Sequence, residues 1–64
     1  MNRLRETRAK KRMTQFHLRL ATGIHQSKIS MIENELIEPN EWEKKKIANA
    51  LGVTAEEIWG KQRP

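Results

Sequence analysis

The sequence predicts an all-α fold of five short helices. Three observations support this prediction: good N-cap residues recur along the chain, glycines follow the second and fourth apolar stretches, and no stretch alternates apolar and polar residues as a half-buried strand does. The chain has 64 residues and no cysteine. A chain of this length forms one small domain, here without disulfide bonds.

The first two helices are bounded by recognisable start and stop residues. Asn2 is expected to cap a first helix that runs to about residue 11. Thr14 is a good N-cap for a second helix over about 15–22, and Gly23 directly follows it. Glycine favours the left-handed conformation that commonly ends a helix, so the second helix is predicted to stop there.

Three further helices are predicted in the rest of the chain. The third covers about residues 26–34, and Pro39 prevents any continuation through the polar segment that follows it. The fourth and fifth each open with the spacing of a capping box, in which an N-cap residue precedes a glutamate by three positions. The two pairs are Asn40 with Glu43 and Thr54 with Glu57. Residues 61–64 are expected to be a frayed tail.

The charge of the chain is concentrated in its first half. Residues 1–31 hold eight basic side chains and one acidic one, a balance of +7, and residues 32–64 hold five basic and seven acidic ones, a balance of −2. This distribution favours a polyanionic partner, nucleic acid before an anionic membrane. Charge alone is equally compatible with a solvated surface that aids solubility. The run Lys44–Lys46 is expected to be such a solvated helix face.

Several functions are disfavoured by the residues that the chain lacks. No apolar run approaches the roughly 18–20 residues of a membrane span, so we expect a cytoplasmic protein with no membrane contact. The chain has no aspartate, so Ser27 and Ser30 lack the acid and base that activate a nucleophile. His17 and His25 alone make a poor metal-ligand set. We therefore expect no enzymatic activity, no metal, no cofactor and no small-molecule ligand.

The second and third helices, joined through 23–25, form a helix-turn-helix. A longer pattern surrounds this unit, in order and without gaps from Leu4 to Ile58. It comprises Thr14-Gln15, Leu18, Gly23-Ile24, Gln26-Ser27, Ile29-Ser30, Ile32-Glu33-Asn34, Pro39 and the stretch 47–53. In this register the sequence resembles the Cro and cI phage-repressor family of helix-turn-helix domains, the XRE type.

The resemblance implies a compact five-helix, lambda-repressor-like domain over residues 1–60. It implies a small transcriptional regulator, expected to be a repressor, that binds double-stranded DNA sequence-specifically in a bacterial or phage setting. The third helix, about 26–34, would lie in the major groove while the second crosses the backbone. The family's core positions correspond to Leu4, Met13, Leu18, Ile24, Ile29, Ile32, Ile47, Leu51, Val53 and Ile58.

The resemblance also implies which side chains meet DNA. Base edges would be contacted by His25, Gln26, Ser27, Ser30 and Met31, and phosphates by Thr14, Gln15, Lys28 and Asn34. These types suit the task, because glutamine can bind adenine through both amide atoms and a helix N-terminus attracts phosphate. Arg8 and Glu33 correspond to a structural ion pair between the first and third helices.

Some positions depart from the family pattern. Arg19 stands where relatives usually have alanine packed on the third helix, and residues 35–38 are acidic where relatives often carry basic groups. His25 replaces the usual serine or threonine cap of the third helix, and Lys44 replaces a usually apolar residue on the fourth. Phe16, Leu20 and Trp42 are apolar where relatives are usually polar, so they are candidates for a protein contact. Two functions therefore stay open. One is a DNA-binding regulator, which could pair as a homodimer on two half-sites, and the other is a protein-interaction module such as an antitoxin or adaptor.

Overall fold

The structure, a computed structural model, describes residues 2–60. In this part of the chain there are five helices and no strand: α1 (Leu4–Lys10), α2 (Gln15–Thr22), α3 (Gln26–Glu33), α4 (Glu41–Leu51) and α5 (Ala55–Trp59). The predicted all-α fold and its five helices are thus confirmed. The expected fraying of residues 61–64 lies outside the described residues.

The helix boundaries follow largely from the capping residues. Thr14, Asn40 and Thr54 each accept a hydrogen bond from the backbone N–H three positions on, as the sequence indicated. Gly23 ends α2 with a φ of 77°, a left-handed conformation that costs a glycine little. The start of α1 differs from the prediction, since Arg3 is its N-cap and Asn2 Oδ1 accepts from the Leu4 N–H at 3.0 Å.

The ends of α1 and α3 also differ slightly from the prediction. α1 stops one residue early, at Lys10, and α3 stops at Glu33 with Asn34 as its C-cap. Each is followed by a non-glycine residue in the left-handed region, Arg12 with a φ of 55° and Glu35 with a φ of 59°. Such residues are uncommon, and a sequence pattern based on glycine does not reveal them.

The core is an apolar cluster shared by all five helices. Eight of the ten predicted core residues are buried, and Met13 and Val53 are instead partly buried at the edge of the cluster. Ala48 is a buried member that the prediction omitted. The buried members are Leu4, Leu18, Ile24, Ile29, Ile32, Ile47, Ala48, Leu51 and Ile58.

The packing of the helices leaves one side of α3 free. α2 packs against both α3 and α4, while α5 packs against α4 and α1. The Arg3 N–H donates to the Ile58 carbonyl at 2.8 Å and joins the beginning of α1 to α5. The inner face of α3 therefore packs on the core, where Ile29 and Ile32 are fully buried.

The expectation for Lys44 was wrong. Only 8% of its side chain is exposed, so it does not belong to a solvated face with Lys45 and Lys46, which are exposed. Its ammonium lies 3.7 Å from a Glu41 carboxylate oxygen and 5.9 Å from the centre of the Trp59 ring. A buried lysine needs such partners, because an uncompensated charge is costly to desolvate.

Candidate nucleic-acid interface

The outer surface of α3 carries the side chains predicted to contact bases. Ser27 and Met31 are exposed, while Gln26 and Ser30 are partly buried. Because residues three and four apart share a helix face, Ser27, Ser30 and Met31 lie on one surface. This surface is polar apart from Met31, and it lies opposite the buried Ile29 and Ile32.

The beginning of α3 is capped by a histidine. The His25 Nδ1 accepts a hydrogen bond from the Ser27 backbone N–H at 3.2 Å. The Ser27 hydroxyl oxygen lies 2.8 Å from the same nitrogen. An acceptor at this position satisfies a backbone donor that the helix itself leaves free, the task that serine, threonine or asparagine usually performs. His25 thus replaces the more common caps without loss of the cap.

The beginning of α2 has the same kind of histidine contact. The Thr14 hydroxyl oxygen accepts from the His17 N–H at 3.1 Å, and the His17 Nδ1 accepts from the Thr14 N–H at 3.2 Å. Gln15 is the first residue of this helix. The free backbone donors and the positive end of the helix dipole at this place attract anions.

Glu33 joins the end of α3 to α1 and α2. Its side chain is completely buried, and the Arg8 Nε donates to it at 2.6 Å and the Arg8 Nη2 at 3.2 Å. The Gln15 Nε2 donates at 3.1 Å and the Arg5 Nε at 3.4 Å. We call these four residues the Glu33 network. The structure thus brings the expected partners Arg8 and Glu33 together and adds two donors.

The charge state of Glu33 follows from the Glu33 network. Burial acts to raise the pKa of this carboxyl group, since desolvation disfavours the charged form. Hydrogen bonds from Arg8 and Gln15, the positive charge of Arg8 and the hydrogen bond from Arg5 act in the opposite direction. Together they outweigh burial, so the pKa of Glu33 lies below its ordinary value. Glu33 is therefore a buried carboxylate at neutral pH.

A second buried carboxylate, Glu43, joins α3 to α4. The Lys28 ammonium forms an ion pair with it, and its other oxygen accepts from the Asn40 N–H at 3.0 Å. The hydrogen bond from Lys28, followed by that from the Asn40 backbone, lowers the pKa of Glu43 against a weaker effect of burial. The Lys28 side chain remains 41% exposed. The sequence revealed the capping role of Glu43 but not its partner on α3.

Two further polar residues extend the surface beyond α3. The Arg5 Nη2 donates to the Asn34 Oδ1 at 2.9 Å, and the Asn34 Nδ2 donates to the Ser30 carbonyl at 2.9 Å. Arg5 was not among the predicted site residues, although it lies among the basic residues of the first half and close before Arg8. Its role depends on α1 crossing the end of α3, which the local sequence does not specify.

Four of the residues that depart from the family pattern, Phe16, Arg19, Leu20 and Trp42, lie on the outside of the fold. Phe16 and Leu20 are 50% and 67% exposed, and Arg19, between them on α2, is exposed as well. The arginine at the usual alanine position therefore extends into solvent while α2 still packs on α3. Trp42, on α4, is 61% exposed, with the Lys46 ammonium 5.2 Å from its ring centre. It lies on a different helix from Phe16 and Leu20.

The two short helices, the tight turn at Gly23 and the supported α3 define a helix-turn-helix domain of the DNA-binding class. The helix-turn-helix family model matches residues 4–58. The chain therefore belongs to the Cro/cI-like, XRE-type helix-turn-helix family, whose members are DNA-binding regulators and typically not enzymes.

Two other comparisons add no relatives. Neither a search of curated proteins nor a search of solved structures gave a match. Over residues 2–60, each helix is too short or too polar to span a lipid bilayer.

Proposed function

We propose that the chain binds double-stranded DNA sequence-specifically as a small transcriptional repressor, with α3 in the major groove. The observation that carries this proposal is the geometry of α3. Its inner face is fixed by buried isoleucines and by two carboxylates, Glu33 and Glu43, while its outer face is mainly polar and at least partly exposed. Base readout requires a rigidly held helix with polar side chains that are available to the DNA.

The proposed base contacts are the side chains at the beginning and on the outer face of α3. Gln26 is the first residue of the helix and can bind adenine through its amide oxygen and nitrogen. Met31 is 37% exposed and can contact a thymine methyl group. The complete proposed set is His25, Gln26, Ser27, Ser30 and Met31.

The proposed phosphate contacts surround this surface and keep hydrogen-bond donors available. Gln15 uses one amide hydrogen for Glu33 and has a second, and Asn34 uses one for the Ser30 carbonyl and has a second. The Lys28 ammonium has three donors and is only partly covered by Glu43. The Thr14 hydroxyl accepts from His17 and can still donate. Contacts of this kind position the protein without specifying sequence.

The salt dependence of binding tests the proposal. If roughly four to six phosphates are neutralised per subunit, the logarithm of affinity should fall with the logarithm of salt concentration by about 0.9 per phosphate. The operator should first be selected from a random duplex pool, and its affinity compared with that of an unrelated duplex. An affinity that does not change between dilute and physiological salt would contradict DNA binding.

A second candidate function, the holding of a protein partner, is favoured by Phe16, Leu20 and Trp42. Isolated exposed apolar residues are normal, but a phenylalanine and a leucine four positions apart form one apolar stripe on α2. The two functions can coexist, because one domain covers only a short half-site and repressors of this kind gain specificity by pairing. We propose a homodimer on two half-sites, with this stripe or Trp42 at a protein contact.

Replacement of Phe16 and Leu20 by serine tests the second candidate. Since both side chains are at least half exposed, the free energy of unfolding should change by only about 0.5 kcal/mol. Cooperative binding to a two-half-site operator should weaken, while binding to one half-site should not. Analytical ultracentrifugation and titration of both duplexes measure these effects. Unchanged cooperativity and assembly would show that the stripe is not part of the protein contact.

A further inference from the structure

The His25–Ser27 pair at the start of α3 has only one consistent hydrogen-bond arrangement. A backbone N–H can donate but cannot accept. The Ser27 N–H points to the His25 Nδ1 at 3.2 Å, so this nitrogen carries a lone pair and no proton. In the neutral imidazole the proton is then on Nε2. The cap of α3 therefore fixes the tautomer of His25.

The same arrangement determines what the Ser27 hydroxyl can do. Its oxygen lies 2.8 Å from the His25 Nδ1, within hydrogen-bond distance. Because Nδ1 has no proton, the hydroxyl must be the donor in this contact. Its single hydrogen is thus directed at His25, which leaves the lone pairs of this exposed side chain free to accept. A serine that is otherwise able to donate or accept is left as an acceptor.

We propose that the His25–Ser27 pair makes Ser27 an acceptor that selects a base with an amino group in the major groove, adenine or cytosine. The exposed groups there are adenine N6 and cytosine N4, which donate, whereas guanine O6 and thymine O4 only accept. His25 acts in this selection as a positioning residue. The inference rests on the proposed function, because it assumes that α3 lies in the major groove.

His17 provides an internal comparison. Its Nδ1 also accepts from a backbone N–H, that of Thr14, so it has the same tautomer. It lies on α2, however, which crosses the DNA backbone in this arrangement and does not reach base edges. His17→Gln keeps a side-chain acceptor at a position where glutamine completes capping boxes. This substitution should leave every base preference unchanged.

Binding to operator variants tests the proposal. The base pair that Ser27 contacts is the one at which Ser27→Ala abolishes preference. Every base pair has one base with an amino group in the major groove. At the contacted pair, replacing adenine by purine, or cytosine by 2-pyrimidinone, removes only this group and should weaken wild-type binding by about five- to tenfold, the effect of one good hydrogen bond. This factor is the preference for the amino group. His25→Ala should reduce the preference to about twofold, because the freed hydroxyl can then donate. His25→Asn, whose amide oxygen replaces Nδ1 as acceptor, should retain it.

Three results would overturn the proposal: unchanged wild-type binding when the amino group is removed, an undiminished preference in His25→Ala, or a loss of preference in a folded His25→Asn variant. Nitrogen-15 NMR of the free protein supplies a second measurement, in which the His25 Nδ1 should be the unprotonated ring nitrogen. A protonated Nδ1 in the neutral ring would also overturn it. If the protein binds no DNA selectively while the ring has the expected tautomer, the proposed function fails and the hydrogen-bond arrangement stands.

Discussion

The two ends of α3 are each tied to neighbouring helices by a buried carboxylate, but the two ties differ in depth. Glu33, at the end of α3, is fully buried and receives hydrogen bonds from Arg8, Gln15 and Arg5. Glu43 lies on α4 and holds Lys28, near the start of α3, whose side chain is 41% exposed. The main partner of Glu33, Arg8, is only 16% exposed, whereas the partner of Glu43 reaches solvent.

This difference shows how one helix can be both rigid and available to a partner. The Glu33 network fixes the angle of α3 against α1 and α2, because a shift of α3 would leave a buried charge without donors. The contact between Lys28 and Glu43 lies near the beginning of α3, the end that would meet DNA in the proposed function. There Lys28 can contact Glu43 and a phosphate at the same time. In the proposed function, the inner face of α3 and Glu33 hold the helix in place, while its beginning and outer face remain available for DNA.

The largest loss of stability is expected from breaking the Glu33 network. Glu33→Gln keeps the size of the side chain but leaves Arg8 without its counter-charge, and should lower the free energy of unfolding by about 3 kcal/mol. Urea unfolding measures this loss. Glu6→Gln, at an exposed carboxylate on α1, is the matched control and should change stability by less than about 0.5 kcal/mol. Similar small losses in both variants would mean that the Glu33 network does not stabilise the fold.

Coupling between Arg8 and Glu33 sharpens the same comparison. Replacing both by methionine removes both charges. This double replacement should cost less than either single one, because it leaves no unpaired buried ion, whereas each single replacement does. A double-mutant cycle from thermal unfolding gives the coupling energy, with an expected magnitude of about 1–3 kcal/mol. Additive single effects would show that the 2.6 Å contact has no energetic consequence.

The pH dependence of stability should reveal both carboxylates. The pKa of Glu33 and that of Glu43 are lowered on folding from an ordinary value of 4.5. Their stabilisation is therefore fully present well above pH 4.5 and is lost as the pH falls through the lower values of the folded state. Unfolding measured from neutral to acidic pH should show this loss. The curve of Glu33→Gln should be flatter, and an unchanged slope would contradict the assignment.

A smaller loss of stability than in Glu33→Gln is expected from breaking the contact between Lys28 and Glu43. Lys28→Met removes the ion pair with Glu43, but the partly exposed ammonium is screened by solvent, so the loss should be about 1 kcal/mol or less. The cap of α4 stays, because Asn40 still donates to Glu43. Urea unfolding of Lys28→Met and Glu33→Gln compares the loss in the free energy of unfolding caused by the two substitutions. A larger loss in Lys28→Met would reverse the comparison.

The sequence predicted what depends on local pattern or on the family register. The capping residues Thr14, Asn40 and Thr54 act within three positions of themselves, so spacing alone was sufficient. The expectation that Arg8 meets Glu33 came from the resemblance to the Cro and cI family, since residues 25 positions apart share no local signal.

What the sequence did not predict depends on how helices meet in space. Lys44 replaces a usually apolar residue of the family, which indicates an inward position, but the lysine run favoured a solvated face, and the partners Glu41 and Trp59 that allow its burial became known only from the structure. The pairing of Lys28 with Glu43 requires the relative placement of α3 and α4, and the donation by Arg5 requires that of α1 and α3. The resemblance to the family placed His25 at the cap position of α3, but the hydrogen bond by which this unusual cap acts, from the Ser27 N–H to Nδ1, depends on the ring orientation that the structure gives.

The most direct test of the central claim, that α3 reads bases while α2 binds the backbone, compares Gln26→Ala with Gln15→Ala on the selected operator and its single-base variants. Gln26→Ala should cost about 1–3 kcal/mol on the preferred operator and relax preference at one base pair, with little change in non-specific affinity. Gln15→Ala should weaken binding to every sequence by a similar factor and leave the preference unchanged. An equal loss of affinity for all sequences in Gln26→Ala would contradict the claim.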